Sequence, residues 1–524
     1  MTQALREIQT GRFAEAEQLL RTLAAADPRN ANALNLLGVV ACHTQQYDTA
    51  IDMLQRAIKI DQKTPSFHNN LGLTLMGCGK YEGAIAAFRH ALALRSDNSE
   101  TLCNLGIALH AFGHFDQATV SLRRAIALDP GNFKAHNTLG GVFAAENRSD
   151  EAIACYRRAI ELKPNFASAH NNLAVALTEC GKFDEAIACY RRAIEIDPAN
   201  AKFRSNHGST LLLVGAFDHG WQEYEYRFGP GAGYARRVFP QRYWEGQNIG
   251  GHRVLVWMEQ GIGDELLFAS MLPDLLQRSA TVVVECAPKL LALFKRSFPD
   301  ALMVARTDPP DPRTLLDIDY QVAAGSLGRF FRSTLESFPS KHGYLTAHMG
   351  RVAYWRQRLD KLGTGLKVGF SWRSNNLFGI RAQSCTRIEQ WGPIFAVNGV
   401  HFVSLQYDEC TEELARGRAQ FGVSLHTFPE VDLFDDIDEA AALTTALDLV
   451  ISAPTAVSVL SGALGVETWQ MSYGPDWKTF GSGRDPWHPS ITRFERSPNQ
   501  TWEEIIEGVA RCLKHASTNN TNTQ

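Results

Sequence analysis

The first 228 residues repeat a pattern of small and large apolar positions with a period of 34 residues. One position of the period holds a small residue in six successive repeats: Gly38, Gly72, Gly106, Gly140, Ala174 and Gly208. A second series lies further along each repeat: Ala50, Ala84, Ala118, Ala152, Ala186 and Gly220. Small residues at fixed spacing let two helices cross closely, so the pattern predicts stacked helical hairpins, an α-solenoid.

The period also predicts where the solenoid begins and ends. We expect a half unit first, then five full units over about residues 31–200, then a degenerate capping unit that ends near residue 228. Pro130, Pro164 and Pro198 each close a unit, because proline cannot continue the hydrogen bonds of the second helix. The period and the residue pattern resemble the tetratricopeptide (TPR) family, which implies a superhelix with a concave binding face.

Asparagine recurs at one repeat position of this predicted face: Asn70, Asn104, Asn172 and Asn206. A primary amide is both donor and acceptor, so it can hold a peptide backbone without reading its side chains. The pattern resembles the asparagine ladder in the TPR superhelix of protein O-GlcNAc transferases. That resemblance implies that these four residues bind an extended polypeptide acceptor. The alternative is that the asparagines connect neighbouring helices of the solenoid.

The pattern changes after a glycine-rich linker, residues 229–250. An apolar run, Arg253–Met258, predicts a strand; it is followed by a glycine turn, an apolar helix and a second strand at residues 281–286. A second alternation of strands and helices begins near residue 365. We therefore predict an α/β domain of two Rossmann-like lobes, 251–360 and 361–515, facing each other across a cleft. The polar tail, 516–524, is expected to be disordered.

Several blocks of this C-terminal region resemble a known group of proteins. The segments are MEQGIGDELLFASMLPDL, VGFSWRS, FVSLQ, LDLVISAPTAVSVLSGALGVETW and RDPWHPSITRFER. They are similar to bacterial TPR proteins with a glycosyltransferase-like domain related to the heptosyltransferases, which have the GT-B fold. The resemblance implies transfer of a sugar from a nucleotide-sugar to a protein or glycan acceptor that the solenoid recruits. It also implies catalysis without a metal ion or a bound cofactor.

The resemblance assigns roles to individual residues. Asp264 matches the aspartate that acts as the base in heptosyltransferases, although it could instead cap the helix that follows. The leaving diphosphate needs positive charge and hydroxyl donors, which Arg373 and the helix start at Thr455 and Ser458 could supply. Arg373 could alternatively pair with an acidic side chain. The expected donor-binding residues are Gly261, Gly263, Arg373, Gln406, Thr455, Ala456 and Ser458.

The chain also departs from the heptosyltransferase pattern. Pro454 and Val459 stand where an aspartate and a histidine usually help to hold the donor, and Glu265 and Ser270 replace a threonine and an arginine. These departures favour a second hypothesis. In that hypothesis the chain is a TPR scaffold for protein–protein interaction whose glycosyltransferase-like domain has lost transfer.

Composition narrows the function classes further. The net charge of −4 and the pI near 6.5 argue against a nucleic-acid partner. There is no apolar run long enough for a transmembrane helix, and the start lacks the features of a signal peptide. The ten cysteines form no CxxC pair, as expected for packing residues in a reducing compartment. We therefore expect a cytoplasmic protein whose partners are a polypeptide and a nucleotide-sugar.

Overall fold

The computed structural model describes residues 1–279, 281–340, 342–375, 380–497 and 500–521. The chain forms two compact units. The first comprises Met1–Leu177 and Arg191–Asp197, and the second comprises Thr178–Tyr190 and Pro198–Gln524. The second unit therefore begins within the repeat region, ahead of the predicted solenoid end at residue 228.

The N-terminal region is a series of helical hairpins, as the 34-residue period predicts. Its helices are α1 (Thr2–Gln9), α2 (Phe13–Ala26), α3 (Ala31–His43), α4 (Tyr47–Ile60), α5 (Pro65–Gly77), α6 (Tyr81–Leu94), α7 (Ser99–Ala111), α8 (Phe115–Leu128), α9 (Phe133–Ala145), α10 (Ser149–Leu162), α11 (Ala167–Glu179), α12 (Phe183–Ile196), α13 (Ala201–Leu213) and α14 (Phe217–Tyr224). The expected half unit at the start is instead a complete pair, because a short first helix, α1, packs on α2 through Ala4, Ala16 and Leu20.

The small residues of the repeat set the distance between the two helices of a hairpin. A Cβ atom added to Gly38 would lie 2.6 Å from Leu54 Cγ, and one added to Gly106 would lie 2.5 Å from Leu122 Cγ. These separations are shorter than any real carbon–carbon contact, so a larger residue would force the helices apart. The periodic glycines therefore mark the points where paired helices cross.

The first sheet of the second unit has five parallel strands. They are β1 (Arg242–Tyr243), β2 (Arg253–Trp257), β3 (Thr281–Cys286), β4 (Leu302–Ala305) and β5 (Tyr320–Ala323), in the order β1-β5-β2-β3-β4. The accompanying helices are α15 (Ile262–Phe268), α16 (Leu272–Leu276), α17 (Leu291–Ser297), α18 (Gly328–Phe331) and α19 (Met349–Asp360). Strand β1 lies inside the predicted linker and pairs with β5 at the sheet edge.

The second sheet has six parallel strands. They are β6 (Leu366–Ser371), β7 (Val400–Ser404), β8 (Leu425–His426), β9 (Leu449–Ser452), β10 (Thr468–Tyr473) and β11 (Ile491–Arg496), in the order β11-β10-β9-β6-β7-β8. The helices are α20 (Ile380–Gln383), α21 (Gly392–Phe395), α22 (Thr411–Phe421), α23 (Ile437–Thr445), α24 (Ala456–Ala463) and α25 (Trp502–Thr521). The α/β architecture predicted for this region is confirmed.

Part of the tail that the sequence predicts to be disordered, 516–524, is helical in the structure. Helix α25 continues to Thr521, and residues 522–524 lie outside the described part of the chain. The helix persists because Ala516 packs against the core of the second sheet. Ser517, which is buried, donates its hydroxyl to the carbonyl oxygen of Lys514. The polar composition of the tail conceals these two inward-facing positions.

The last hairpin, α13 and α14, is part of the second unit because its aromatic side chains are buried there. Trp221 is 2% exposed, and its ring centroid lies 6.0 Å from that of Trp477. The indole N–H of Trp221 donates to the carbonyl oxygen of Arg332 at 2.8 Å. A Cβ on Gly328 would lie 2.5 Å from this indole, so α18 approaches α14 as closely as a glycine allows.

Candidate functional site

A cavity of about 800 Å³ lies in the second unit at the carboxyl ends of strands from both sheets. Its lining includes residues that follow β2, β6, β9 and β10: Gln260, Gly261, Ile262, Gly263, Asp264, Ser374, Asn375, Ala453, Pro454, Thr455, Ala456, Val457, Pro475, Asp476, Trp477 and Lys478. A volume of this size is within the range of small-molecule and cofactor sites.

The strand order explains why a cavity opens here. In the first sheet, the chain runs from β2 outward to β3 and β4 and then returns to β5 on the other side of β2. In the second sheet, β6, β7, β8 and β9 follow the same course. At each such reversal the loops after two adjacent strands leave in opposite directions, which opens a crevice where open α/β sheets bind ligands. The loops after β2, β6 and β9 all line this cavity.

The loop after β2 carries the predicted base, Asp264. The residue before helix α15 is Gly261, and Asp264 lies in the first turn of that helix. Its carboxylate Oδ1 is 3.3 Å from Lys478 Nζ, and both side chains line the cavity. The N-cap of α15 makes no side-chain hydrogen bond, so the structure gives Asp264 a cationic partner and does not place it as the helix cap. Gly261 and Gly263 line the same wall.

A buried ion pair holds the start of this loop. Arg227, at the end of the last hairpin, donates from Nε and Nη2 to the two carboxylate oxygens of Glu259 at 2.9 and 2.7 Å. Neither side chain exceeds 3% exposure. Glu259 also accepts the N–H of Gly325, which follows β5, and Arg227 donates to Ser326 at 2.9 Å. Glu259 therefore connects the loop after β2 and the loop after β5 to the last hairpin.

The next residue of the loop is held by the same hairpin. Gln260 lies on the cavity wall with φ of 65°, a conformation that residues other than glycine adopt rarely. Its side-chain amide donates to the hydroxyl of Tyr224 at 3.1 Å. Tyr224 is 5% exposed and its ring lies 5.2 Å from that of Trp477. The conformation of the loop thus depends on contacts that α14 supplies.

Glu265, where the resembling group has threonine, is a structural residue. Its side chain is fully buried, and it accepts the backbone N–H of Ala287 at 2.9 Å and pairs with Arg306 at 2.8 Å. Burial raises the pKa of Glu265, although the Ala287 N–H and the Arg306 charge act in the opposite direction. The residue ties α15 to the loop after β3 and is absent from the cavity lining that the described residues form.

The loop after β9 is the second wall of the cavity. Thr455 caps α24, because its hydroxyl accepts the N–H of Val457 at 3.3 Å, and Ala456 lines the cavity beside it. Ser458 is fully buried, donates to the Thr455 carbonyl oxygen, and accepts the side-chain amide of Gln470 at 2.9 Å. Among the described residues the lining includes Thr455 and Ala456 and omits Ser458. Ser458 thus anchors the helix on β10.

Arg373 and Gln406 lie at strand ends as predicted, but their side chains contact the protein. Arg373 pairs with Asp408 and with Glu413, where its Nη2 is 2.7 Å from Oε2. Gln406 accepts the Ser371 hydroxyl at 3.0 Å and donates to the Arg373 carbonyl oxygen and to Asp408. Neither belongs to the cavity lining that the described residues form. The sequence offered two roles for Arg373, binding of the diphosphate or pairing with an acidic side chain, and the structure shows the second kind of contact.

Sequence reasoning missed several walls of the cavity. Thr178, Ser209, Thr210 and Leu213 of the repeat helices belong to the lining, and the hydroxyl oxygens of Thr178 and Thr210 are 3.3 Å apart. Among the described residues, Lys289 and Lys478 are the cations in the lining. The lysines lack a recognisable motif, and the hydroxyls occupy repeat positions that vary. A sequence signal for either set is therefore weak.

Three asparagines of the predicted ladder donate hydrogen bonds to asparagines of the preceding repeat within the first unit. The amide of Asn70 donates to Asn35 Oδ1 at 2.9 Å, and that of Asn104 donates to Asn69 Oδ1 at 3.2 Å. Asn172 donates in the same way to Asn137 Oδ1 at 3.1 Å. Each bond joins the first helices of successive hairpins. The contact is the inter-helix connection that the sequence left open, and each amide keeps further donor or acceptor capacity. Asn206 lies on α13, in the second unit.

Among the described residues, no cluster of three or more His, Cys, Asp or Glu side chains is arranged to bind a metal ion. Within the same residues, none of the helices has the length and the apolar character that crossing a bilayer requires. The expectation of a metal-independent reaction remains a prediction.

Comparison with known proteins identifies the repeats. Models of the tetratricopeptide repeat match residues 1–66, 64–131, 140–179 and 167–200. The chain is also similar to Protein FlbA of Caulobacter vibrioides, with 35% identity over 309 residues, which are 56% of this chain and 52% of that protein. The chain thus spans about half the length of this curated relative.

Solved TPR structures align with part of the chain. The crystal structure of MamA has 28% sequence identity and a TM-score of 0.28, covering 31% of this chain and 95% of that one. The thermophilic TPR protein TTC0263 of Thermus thermophilus has 25% identity and a TM-score of 0.32, covering 35% and 99%. The repeat models show that the N-terminal region carries TPR repeats, a class of surface on which other proteins bind.

Proposed function

We propose that the protein is a TPR-coupled glycosyltransferase. The cavity binds a nucleotide-sugar, and the acceptor is a protein or glycan that the repeats recruit. The observation that carries the proposal is the position of the cavity, at the strand reversals of two parallel sheets with a carboxylate on its wall. This arrangement fits the GT-B fold that the sequence resemblance implies.

Each wall has a role in the proposed reaction. Asp264 is the general base that takes the proton of the acceptor hydroxyl, and Lys478 keeps its carboxylate oriented. The charge that develops on the leaving diphosphate is stabilised by the lysines of the lining and by the start of α24. Arg373 does not serve this purpose, because its guanidinium is committed to Asp408 and Glu413.

A second candidate is a protein-binding scaffold without transfer. Pro454 and Val459 favour it, since both line the cavity at the positions where the resembling family holds its donor with an aspartate and a histidine. Neither side chain can accept or donate a hydrogen bond to a sugar. In this case the repeats bind a partner protein, and the cavity no longer takes part in sugar transfer.

A panel of nucleotides and nucleotide-sugars separates the two candidates. A ligand that binds the folded chain raises its melting temperature, by mass action, with a free energy of about 2.7 kcal/mol at a concentration of 100 times Kd. We expect at least one nucleotide-sugar to raise the melting temperature of the full chain. If none of the nucleotides or nucleotide-sugars raises it, the transferase is excluded and the scaffold stands.

A matched pair of variants ties the response to the cavity. Ala456→Phe places a large ring in the cavity wall, whereas Ala415→Phe places one on the exposed face of α22. The nucleotide response should vanish in the first variant and persist in the second. A response that persists in both would place the ligand elsewhere in the molecule.

A further inference from the structure

Two aromatic rings form part of the cavity wall at a place that the residues proposed for transfer do not use. Tyr407 follows β7, and Phe434 lies between β8 and α23. Their ring centroids are 6.3 Å apart with an angle of 30° between the planes. This is the near-parallel, offset arrangement that aromatic pairs favour, and both residues belong to the cavity lining.

Phe434 is unusual for a phenylalanine in a cavity wall, because 47% of its surface is exposed. Its backbone is nevertheless fixed: the N–H donates to Asp432 Oδ1 at 2.9 Å, and the carbonyl oxygen accepts from Lys289 Nζ at 2.7 Å. A half-exposed ring that lines the cavity, on a backbone held by two hydrogen bonds, is suited to contact with a ligand. Burial of such a ring by a bound molecule is favourable.

A cation accompanies the ring pair. Lys289 Nζ lies 3.9 Å from the centroid of the Phe434 ring, and Lys289 is one of the two lysines of the cavity lining that the described residues form. Its charge is offset by Asp435, at 3.5 Å, whose side chain is 71% exposed. An exposed carboxylate of this kind is a weak competitor for the ammonium group, so a bound phosphate can recruit Lys289.

We infer that Tyr407 and Phe434 form the subsite for the nucleobase of the donor, with Lys289 beside it for the attached phosphate. The inference rests on the proposed function and adds the part of the ligand that each wall contacts. A nucleobase offers a flat π face whatever its identity, so stacking on these rings is tolerant of the base. A sugar ring or an acceptor side chain could also contact an aromatic face, and the experiment below distinguishes them.

The test compares ligands that have and lack a base on the full-length chain. Calorimetry with UDP, GDP, ADP, CDP and dTDP identifies a nucleotide that binds, and inorganic pyrophosphate serves as the ligand without a base. Phe434→Leu and Tyr407→Leu should each weaken nucleotide binding by about 5- to 100-fold, the range of one stacking contact. Pyrophosphate affinity should stay unchanged. Tyr407→Phe should keep the affinity for the nucleotide, because the ring remains.

Phe112→Leu is the matched control, since Phe112 is 46% exposed on the repeat region, outside the cavity. It should leave all affinities unchanged. Equal nucleotide affinity in the wild type and both leucine variants would overturn the inference while leaving the proposed transferase intact. Equal losses for nucleotide and pyrophosphate would overturn it too, because the rings would then act on the phosphate. Absence of any nucleotide binding to the wild type would instead refute the proposed function itself.

Discussion

Asp264 and Arg373 both follow central strands, and their surroundings give them different roles. The carboxylate of Asp264 faces the cavity beside Lys478, at 3.3 Å. Arg373 pairs with two carboxylates, and its side chain is 16% exposed. A charged group that lines a cavity can act on a ligand, whereas one whose donors are already used stabilises the fold. The two residues therefore call for different measurements.

Asp264→Asn should lower the turnover of sugar transfer by about 10²–10⁴-fold, the usual contribution of a general base. An amide cannot take the proton of the acceptor hydroxyl, while the size of the side chain is nearly unchanged. Donor affinity should remain within a few-fold of the wild type. Asp300→Asn, at an exposed aspartate outside the cavity lining, should be neutral. Turnover that survives in Asp264→Asn would remove this residue from catalysis.

Arg373→Ala should lower the free energy of unfolding by about 1–3 kcal/mol, because Asp408 and Glu413 lose their shared cation. Urea denaturation measures the change. Arg416→Ala is the control, on the helix that carries Glu413. Its ion pair with Glu389 has an arginine side chain that is 54% exposed, so it should cost at most about 1 kcal/mol. If Arg373→Ala is as stable as the control and binds nucleotides less tightly, Arg373 belongs to the ligand site after all.

Glu179, at the end of α11, should make stability depend on pH. Burial raises the pKa of Glu179 from 4.5 to about 7. Between these values the folded chain holds a proton that the unfolded chain has released, so the free energy of unfolding falls as the pH rises from about 4.5 to about 7. Above that window the loss is complete.

Glu179→Gln removes this titrating carboxyl group. Calorimetry should therefore show that the variant's free energy of unfolding, relative to the wild type, increases from pH 4.5 to pH 7 and is constant above pH 7. Glu100→Gln, at an exposed glutamate, is the control substitution. A constant difference between Glu179→Gln and the wild type would show that Glu179 is ionised in the folded chain throughout.

The sequence located the loops of the candidate site better than the directions of their side chains. Glycine at 261 and 263 and the helix start at Thr455 could be placed from local turn and cap patterns, and all three line the cavity. The partners of Arg373 come 35 and 40 residues later in the chain, so no local pattern reveals them. Ser458 faces β10. The sequence does not predict which side of α24 packs against the sheet.

At the scale of elements, the first helices of successive hairpins are linked by asparagine pairs. Changing four asparagines together to alanine, Asn70, Asn104, Asn172 and Asn206, should lower the melting temperature. The variant loses the side-chain hydrogen bonds to Asn35, Asn69 and Asn137, and Asn35 is buried. Each bond contributes about 0.5–1.5 kcal/mol. An unchanged melting temperature would show that the pairs add nothing to stability.

The same variant tests the acceptor hypothesis independently. A pull-down with the purified variant measures capture of polypeptides, and capture by the wild type is the reference. Capture lost while the fold persists would support a ladder that uses the remaining capacity of each amide. Capture that equals that of the wild type would refute an acceptor role for the four asparagines, whatever the melting temperature does.

Elements with a strong period were predictable, and those that depend on distant pairing were not. The 34-residue repeat located the helices from α2 to α14 in outline, and apolar runs located the central strands β2, β3, β6 and β9. Strand β1 has two residues and exists because β5 lies alongside it, which no local pattern signals. Helix α15 ends early because a 3₁₀ turn, Ala269–Met271, interrupts the run that the sequence suggests as one helix.

At the scale of the whole molecule, the division of the chain differs from the change in its pattern. The period ends near residue 228, yet the second unit already includes α13 and α14. The reason is chemical: Trp221 and Arg227 are buried in contacts with the α/β region, and a repeat pattern records only contacts between repeats.

This division makes a prediction for limited proteolysis. A cut in the exposed glycine-rich segment at residues 231–235 should yield two fragments that still elute together, because α14 stays attached through Trp221 and the Arg227–Glu259 pair. They should separate in denaturant. Arg227→Met, which leaves Glu259 buried without a cation, should let them part under native conditions. Separate elution of the wild-type fragments would contradict the described packing.

Thr178, Ser209 and Thr210 of the repeat helices line the cavity with hydroxyl groups. Their position limits which repeats can be replaced in a chimera of this chain. Whole 34-residue units between residues 31 and 164 can be deleted, duplicated or exchanged, since each contacts chiefly its neighbours. The final hairpin cannot be exchanged in this way, because a foreign one would alter the volume and polarity of the cavity. Repeats that are exchanged to change the binding partner should therefore lie before α11. The last repeats should be kept together with the α/β domain.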